Sequence, residues 1–282
     1  MTVLWSLPSK PQCIDLFHGS NNADRDGPID FAALRADGID LVIHKASQGV
    51  DMVDPLYASR RQAALAAGLR WEAYHFCTSD PVNAQLAHFL AAATPDATMR
   101  LGIDIEPNRG ATISPAQADA FAAALDSKRG LQTWRYSGMG FMTPGLIAVT
   151  TNLRNGPWWW AKYGPAPTPA QLASVGIDFA MLLMWQETAT GARPGVTGQI
   201  DESYWVAGDL ANYPALPGAT APIAPAAPTT VAAPTAAPAD PVELQRQVQR
   251  LLAAAGNYRG PIDGDPGPQT EAAMSAYRRS HA

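Results

Sequence analysis

The chain has 282 residues, of which 47% are hydrophobic and 16% charged, with a formal net charge of −5. This composition suits one large domain, or one domain plus a small module, and excludes global disorder. The acidic balance argues against nucleic acid or an anionic membrane as partner, since both want the opposite sign, and no run of about 18 uncharged apolar residues offers a membrane span.

The opening MTVLWSLPSKPQC has no basic stretch followed by a long apolar run. No secretory signal is therefore expected, and the chain is expected to be made in the cytoplasm and to reach any outside target by another release route. Strand-like runs follow: CIDLFHG (13–19), DLVIHKAS (40–47), LRWEAYHFC (69–77), RLGIDIE (100–106), LQTWRYS (131–137), PWWWAKYG (157–164) and DFAMLLMWQ (178–186). Ala-rich stretches at 56–67, 83–93 and 115–128 read as helices between them. Strand–helix alternation over about 200 residues implies parallel pairing through crossovers, hence an α/β sheet or barrel. No GxGxxG or GxxxxGK[ST] follows a strand, which turns the choice away from a nucleotide-binding sheet and towards a (β/α) barrel.

From Leu210 to Ala239 no residue is charged, and Ala, Pro and Thr dominate. Such a tract reads as an extended, semi-stiff spacer. Beyond it, two amphipathic helical stretches flank GPIDGDPGPQT and suggest a small all-α module. The expected division is a barrel domain over 1–213, a linker over 214–239 and a helical module over 240–282.

The two cysteines, Cys13 and Cys77, are too few for a disulfide framework or a thiolate zinc site. The histidines show no HExxH or clustered spacing, and neither a metal nor a cofactor is expected.

Chemistry concentrates in LGIDIEPN (101–108). Side chains at i and i+2 of a strand share a face, so Asp104 and Glu106 point one way while Ile103 and Ile105 point the other. Ionised acids in an apolar interior are expensive, so this strand end should open into a polar recess. In a barrel that place is the C-terminal mouth. Asp15 in IDLFHG and Asp201 in GQIDESYW end strands similarly. If the four acids meet, mutual repulsion raises at least one carboxyl pKa and places a proton donor beside ionised partners. Cleavage of a glycosidic bond needs two carboxyls with separated roles, while an ion-pair cluster or a divalent-metal site is the blander alternative. Lys45 in VIHKASQG could reach a carboxylate there. Aromatics crowd the same strand ends, among them Tyr74, Phe76, Tyr136, Trp159 and Trp185; they suit a sugar groove, and packing in the core explains any one of them equally well.

The ordered set IDLFHGSN, IDFAALRADGIDLVIHKASQGVDMVDPLY, AGLRWEAYHF, GIDIEP, WRYSG, WWWAKYG, MWQET and GQIDESYW, over about residues 13–210, resembles glycoside hydrolase family 25. These are lysozymes of the Chalaropsis type, often found as phage endolysins. The resemblance implies an irregular, TIM-like (β/α) barrel that cuts the β-1,4 bond between N-acetylmuramic acid and N-acetylglucosamine in peptidoglycan, without a metal. It implies Glu106 as general acid/base with Asp104 as its partner, Asp15 and Asp201 tuning the pair and holding sugar, and Tyr74, Tyr136, Trp159 and Trp185 lining the groove, with Lys45 and Phe76 beside them. Two departures stand out. The family usually has KATEG where this chain has KASQG, so Gln48 replaces an acid, and FHGSNN is looser than the common pattern after the first strand. The tail VQRLLAAAGNYRGPIDGDPGPQTEAAMSAYRR resembles the first part of a short helical peptidoglycan-binding module, with Pro266 where an aromatic is common.

The expectation is a monomeric wall hydrolase with peptidoglycan as partner, retaining, and assisted by the substrate's own 2-acetamido group. Two rivals remain: a catalytically silent peptidoglycan-binding barrel, and a chitinase-like glycosidase, for which D-x-E alone would serve.

Overall fold

The computed structural model describes residues 7–19, 29–97, 99–130, 133–138 and 150–206, together with 249, 253, 258–263 and 269. In chain order the strands are β1 (Cys13–Leu16), β2 (Leu41–Gln48), β3 (Met52–Val53), β4 (Arg70–Phe76), β5 (Leu101–Asp104), β6 (Trp134–Gly138), β7 (Trp158–Ala161), β8 (Leu182–Gly191) and β9 (Ile200–Trp205). The helices are α1 (Phe31–Ala36), α2 (Tyr57–Ala66), α3 (Val82–Ala93), α4 (Pro115–Arg129) and α5 (Pro169–Ser174).

The strands run β1-β9-β8-β7-β6-β5-β4-β2 in space, and β1 also pairs with β2, so eight strands close a ring with β3 attached outside it on β2. Seven ring strands are parallel, and β9 runs antiparallel to both of its neighbours, β1 and β8. The irregularity has a simple cause. Residues 192–199 link β8 to β9 without a helix, and only an antiparallel pair can be joined without a crossover.

The helix starts follow from short sequence signals. Ser114-Pro115 with Gln117, and Thr168-Pro169 with Gln171, both form capping boxes at the heads of α4 and α5. In each, the hydroxyl accepts from the N3 amide, the N3 glutamine reaches back, and proline fills a position that needs no donor. Gly130 ends α4 at φ 68°, a left-handed conformation that costs other residues energy.

Alternation along the strands creates two apolar layers. Outward residues such as Ile14, Val42, Ala73, Ile103, Ile105, Trp158 and Trp160 meet helix residues Leu34, Phe89, Phe121 and Leu125. Inward residues Cys13, Leu41, Ile43, Tyr74, Trp134, Tyr136, Trp159, Met184 and Trp205 fill the barrel. Gly102 makes room for that filling: a Cβ there would lie 2.0 Å from the Trp134 ring. The indole of Trp134 in turn donates to the buried Glu72 carboxylate at 2.7 Å.

The expected elements fall into place with adjustments. Helices over 56–67, 83–93 and 115–128 correspond to α2, α3 and α4. The DFAM part of the 178–186 run is a 3-10 turn, Phe179–Met181, because Asp178 caps it by accepting from the Ala180 amide. The short α1 and α5 and the two-residue β3 escape a reading based on apolar periodicity, since six or fewer residues carry too few repeats. Cys13 and Cys77 are both buried thiols outside any disulfide. The expected linker over 214–239 lies outside the described residues. So does most of 240–282, where Tyr258 Oη donates to the Pro261 carbonyl at 2.7 Å and Gln249 Nε2 to Asp263 Oδ1 at 2.8 Å.

Candidate active site

β5 ends at Asp104, and the ladder continues one bond further as the Ile105 amide donates to the Tyr136 carbonyl at 3.0 Å. Ile103 and Ile105 lie in the outer apolar layer. Asp104 therefore turns inward, and Glu106, just past the strand end, follows at the mouth. Asp104 is 5% exposed, and Glu106 is half-buried.

The other two acids arrive by opposite strand polarity. Asp15 is the third of four residues in β1, and Asp201 is the second residue of β9, where it pairs directly with Asp15. Asp201 thus begins a strand instead of ending one; because β9 is antiparallel, its beginning lies where its neighbours end. Electrostatics tie the four together. Burial first, then Glu106, raises the Asp104 carboxyl well above its usual range, and Lys45 opposes that rise. Burial first, then Asp201, raises Glu106, and again Lys45 opposes. The Tyr74 hydroxyl is pushed well up by burial and then by Asp15, Asp104, Asp201 and Glu106. Tyr136 is pushed up by burial and then by Glu106, Asp15 and Asp104.

Asp104 Oδ1 is buried with no hydrogen-bond partner among the described residues. Leaving a carboxylate oxygen so costs energy, and it presents an acceptor to whatever N–H or O–H enters the mouth. Lys45 is buried, its ammonium 4.6 Å from the Phe76 ring centroid and 2.6 Å from Gln48 Oε1.

A further residue belongs to this cluster. Gln186 of β8 accepts from Tyr136 Oη at 2.6 Å and donates to Asp15 Oδ2 at 3.2 Å. It fixes the direction of the tyrosine hydroxyl proton and so leaves that oxygen as an acceptor towards the cluster. The run MWQET carried it, yet a lone glutamine in a strand gives no sign of its face until the register is known.

Trp159 is inside the barrel, with its ring 4.4 Å from Tyr136 and 5.1 Å from Trp134, and its Nε1 donates to Ser203 Oγ at 3.0 Å. It is floor beneath the acids more than an open stacking face. Trp185 is not brought to the acids. Met184 and Gln186 on either side of it point inward, so Trp185 faces out, stacked on Tyr204 at 5.1 Å with its Nε1 donating to the Lys162 carbonyl at 2.7 Å. A register shift between Trp158 and Trp159 in the β7–β8 ladder sets that phase. His75 is held from Ser47 Oγ at 2.8 Å and Gln85 Oε1 at 3.1 Å in the outer layer, and burial lowers its pKa to about 3.

Taken together, the mouth offers two carboxyls of raised proton affinity, one orphaned oxygen, a buried ammonium and two acidic neighbours. That is a set able to donate a proton and to steady a positive centre.

A sequence model described as Glycosyl hydrolases family 25 matches residues 21–196. The chain is similar to the autolytic lysozyme of Clostridium acetobutylicum, 25% identical over 268 residues that span 94% of this chain and 72% of that protein. It is also similar to lysozyme M1 of Streptomyces globisporus, 26% identical over 203 residues, 63% of each chain. Among solved structures, a bacterial lysozyme from Streptomyces coelicolor superposes with a TM-score of 0.55 at 22% identity, covering 70% of this chain and 92% of that one, a likeness of fold.

Proposed function

The chain belongs to glycosyl hydrolase family 25, and from that premise we propose that it is an N-acetylmuramidase acting on the β-1,4 bond between N-acetylmuramic acid and N-acetylglucosamine in peptidoglycan. The observation that carries this reading is the Asp104/Glu106 pair at the barrel mouth, both carboxyls raised and Asp104 Oδ1 unpartnered among the described residues.

In the proposed reaction Glu106 protonates the leaving glycosidic oxygen, so that the bond breaks with its electrons going to that oxygen. The 2-acetamido carbonyl oxygen of the sugar attacks the anomeric carbon and gives an oxazolinium ion. Asp104 accepts a hydrogen bond from the acetamido N–H through its orphaned oxygen and balances the positive charge. Glu106, now ionised, takes a proton from water, which opens the ring from the same face. Two inversions at the anomeric carbon give net retention. Asp15, Asp201 and Gln186 hold the pair and the sugar, and Tyr74 and Tyr136 border it.

The experiment is mass spectrometry of fragments released from purified cell walls. New reducing ends on muramic acid support the reading, and reducing ends on glucosamine, or cutting of chitin in preference to wall, refute it. A silent binding barrel would release nothing, and wild type and Glu106→Gln would then leave wall turbidity equally unchanged.

The biological setting we propose is lysis of a bacterial host by a phage, with the enzyme made in the cytoplasm and reaching the wall through an opened membrane. Its support is the pattern of a D-x-E barrel sequence, an Ala/Pro/Thr spacer and a wall-binding-like tail. A spacer that keeps a second wall contact near the barrel would raise local enzyme concentration on an insoluble substrate. Expressed inside a susceptible cell, the protein should leave it intact until the inner membrane is permeabilised, and lysis without permeabilisation would refute that setting.

A further inference from the structure

β2 departs from regular pairing at one place. Lys45 pairs with Tyr74 and Ser47 with His75, so Ala46 is an extra residue opposite β4. An extra residue reverses the facing of everything after it. Without it, residues three apart in a strand face opposite ways. With it, Ser47 turns outward to His75, and Gln48 turns back inward on the same side as Lys45, where its Oε1 accepts from the ammonium at 2.6 Å. The backbone of Gln48 is held from both sides, paired with Phe76 of β4 and with Met52 of β3.

We propose that this bulge and Gln48 form a positioning device for Lys45, in which a neutral amide holds the ammonium among Asp104, Glu106 and Asp54 without giving it to any one carboxylate. The inference rests on the reading that Asp104 and Glu106 do the chemistry, and adds how their charge is balanced. Among the described residues Lys45 makes no ion pair, although Asp104, Asp54 and Glu106 all act on it. Asp54 is already engaged, accepting from the His18 amide at 2.8 Å, the His18 ring at 2.9 Å and the Leu56 amide at 2.9 Å. The rings of Phe76 and Phe17, with centroids at 4.6 and 5.8 Å from the ammonium, cover it without taking its proton. A carboxylate at position 48 would neutralise the ammonium locally. An amide satisfies one of its N–H bonds and leaves the whole charge acting on the pair.

The groups that face this arrangement are Asp104 and Glu106 from the end of β5, Asp54 after β3, Tyr74 from β4, Tyr136 from β6, Asp15 from β1 and Asp201 from β9, while His75 of β4 feels the Lys45 charge from the outer side of the wall. Lys45 opposes the rise of both pair members, so weakening its field should raise the proton affinity of the pair as a unit.

The test is carbon-13 NMR titration of the carboxyl groups in the full chain, alongside the pH profile of wall hydrolysis, for wild type, Gln48→Glu, Gln48→Leu, Lys45→Met and the Gln48→Leu/Lys45→Met double variant, each checked for an unchanged thermal melt. Gln48→Glu should move the pair's titration and the alkaline limb upward by about half a unit or more. Gln48→Leu should move them downward, as the released ammonium closes on one carboxylate. In the Lys45→Met background Gln48→Leu should add nothing. Unmoved titrations in both Gln48 single variants, or an equal Gln48→Leu shift with and without Lys45, would overturn the proposal. The NMR readout needs no turnover. An enzyme that released no muramic ends would therefore refute the muramidase reading, while the carboxyl titrations would still decide for or against the role of Gln48.

Discussion

Asp201 and Glu202 are neighbours in β9 and face opposite sides of the barrel wall, and their surroundings differ in kind. Glu202 turns outward to Arg193, which donates from Nε at 2.9 Å and from Nη2 at 2.9 Å, while Arg193 Nη1 reaches Asp37 at 2.8 Å and Nη2 the Pro11 carbonyl at 3.4 Å. This is a fork-to-fork pair with its geometry satisfied. Asp201 turns inward among acids and raises the proton affinity of Glu106. The two sides teach one distinction. A buried charge matched by a partner holds the chain in place, and the barrel uses Arg193 to tie the β8–β9 link to β9 and to the end of α1. A set of buried carboxyls with one buried ammonium among them stores unfavourable electrostatics, and such energy is kept where it can be relieved by a substrate.

That distinction can be broken by substitution. The largest expected effect is in Glu106→Gln, which should lose roughly 100-fold to 10,000-fold in rate on purified walls while melting like wild type. Rates within a few-fold of wild type would remove Glu106 from the acid role. Asp104→Asn should also lose activity, yet it should melt higher by a few degrees at neutral pH. The sign follows from its raised carboxyl. In the window from the ordinary carboxylate range up to the raised native value, the folded state holds the proton more tightly, so stability falls as pH rises through that window. An amide that cannot ionise escapes this cost, and calorimetry at pH 5 and pH 8 should show the gain growing with pH.

On the outer face the expectation reverses. Arg193→Met leaves Glu202 buried without its partner and should cost about 3 kcal/mol, which denaturant unfolding would measure, with wall hydrolysis below the melt largely kept. Smaller again is Gln186→Met, which releases both Tyr136 and Asp15; a loss of roughly tenfold in kcat/KM at unchanged stability is expected, as for a group that orients others. The smallest is Trp185→Phe. Stacked outside on Tyr204, it should change kcat/KM by less than about twofold. A large rise in KM there would place the outer face in contact with glycan and erase the contrast between the two sides.

Much of the site was legible from residue order. D-x-E in an apolar run puts two carboxyls on one face by the period of a strand, and Asp104 with Ile103 and Ile105 follows that arithmetic. Capping boxes at Ser114 and Thr168 are equally local signals. Trp185 shows where such reading stops. It stands in a run of apolar and aromatic residues in which every position looks alike, and only the β7–β8 register shift tells that Trp159 faces in and Trp185 out. Gln186 was hidden for the same reason, whereas Gln48 stood out in KASQG as a departure and only the bulge decided which way it faces.

The order of residues by itself determined that strands would alternate with helices, that two acids would share a face at a strand end, and that a charge-free Ala/Pro/Thr tract would follow. Tertiary structure decided which distant residues meet them. The antiparallel turn of β9 brings Asp201 beside Asp15, and the β2 bulge sets Gln48 against Lys45. The physical reason is that strand periodicity is a property of neighbours along the chain, whereas register and phase are set by hydrogen bonds between strands, whose partners lie far apart in sequence.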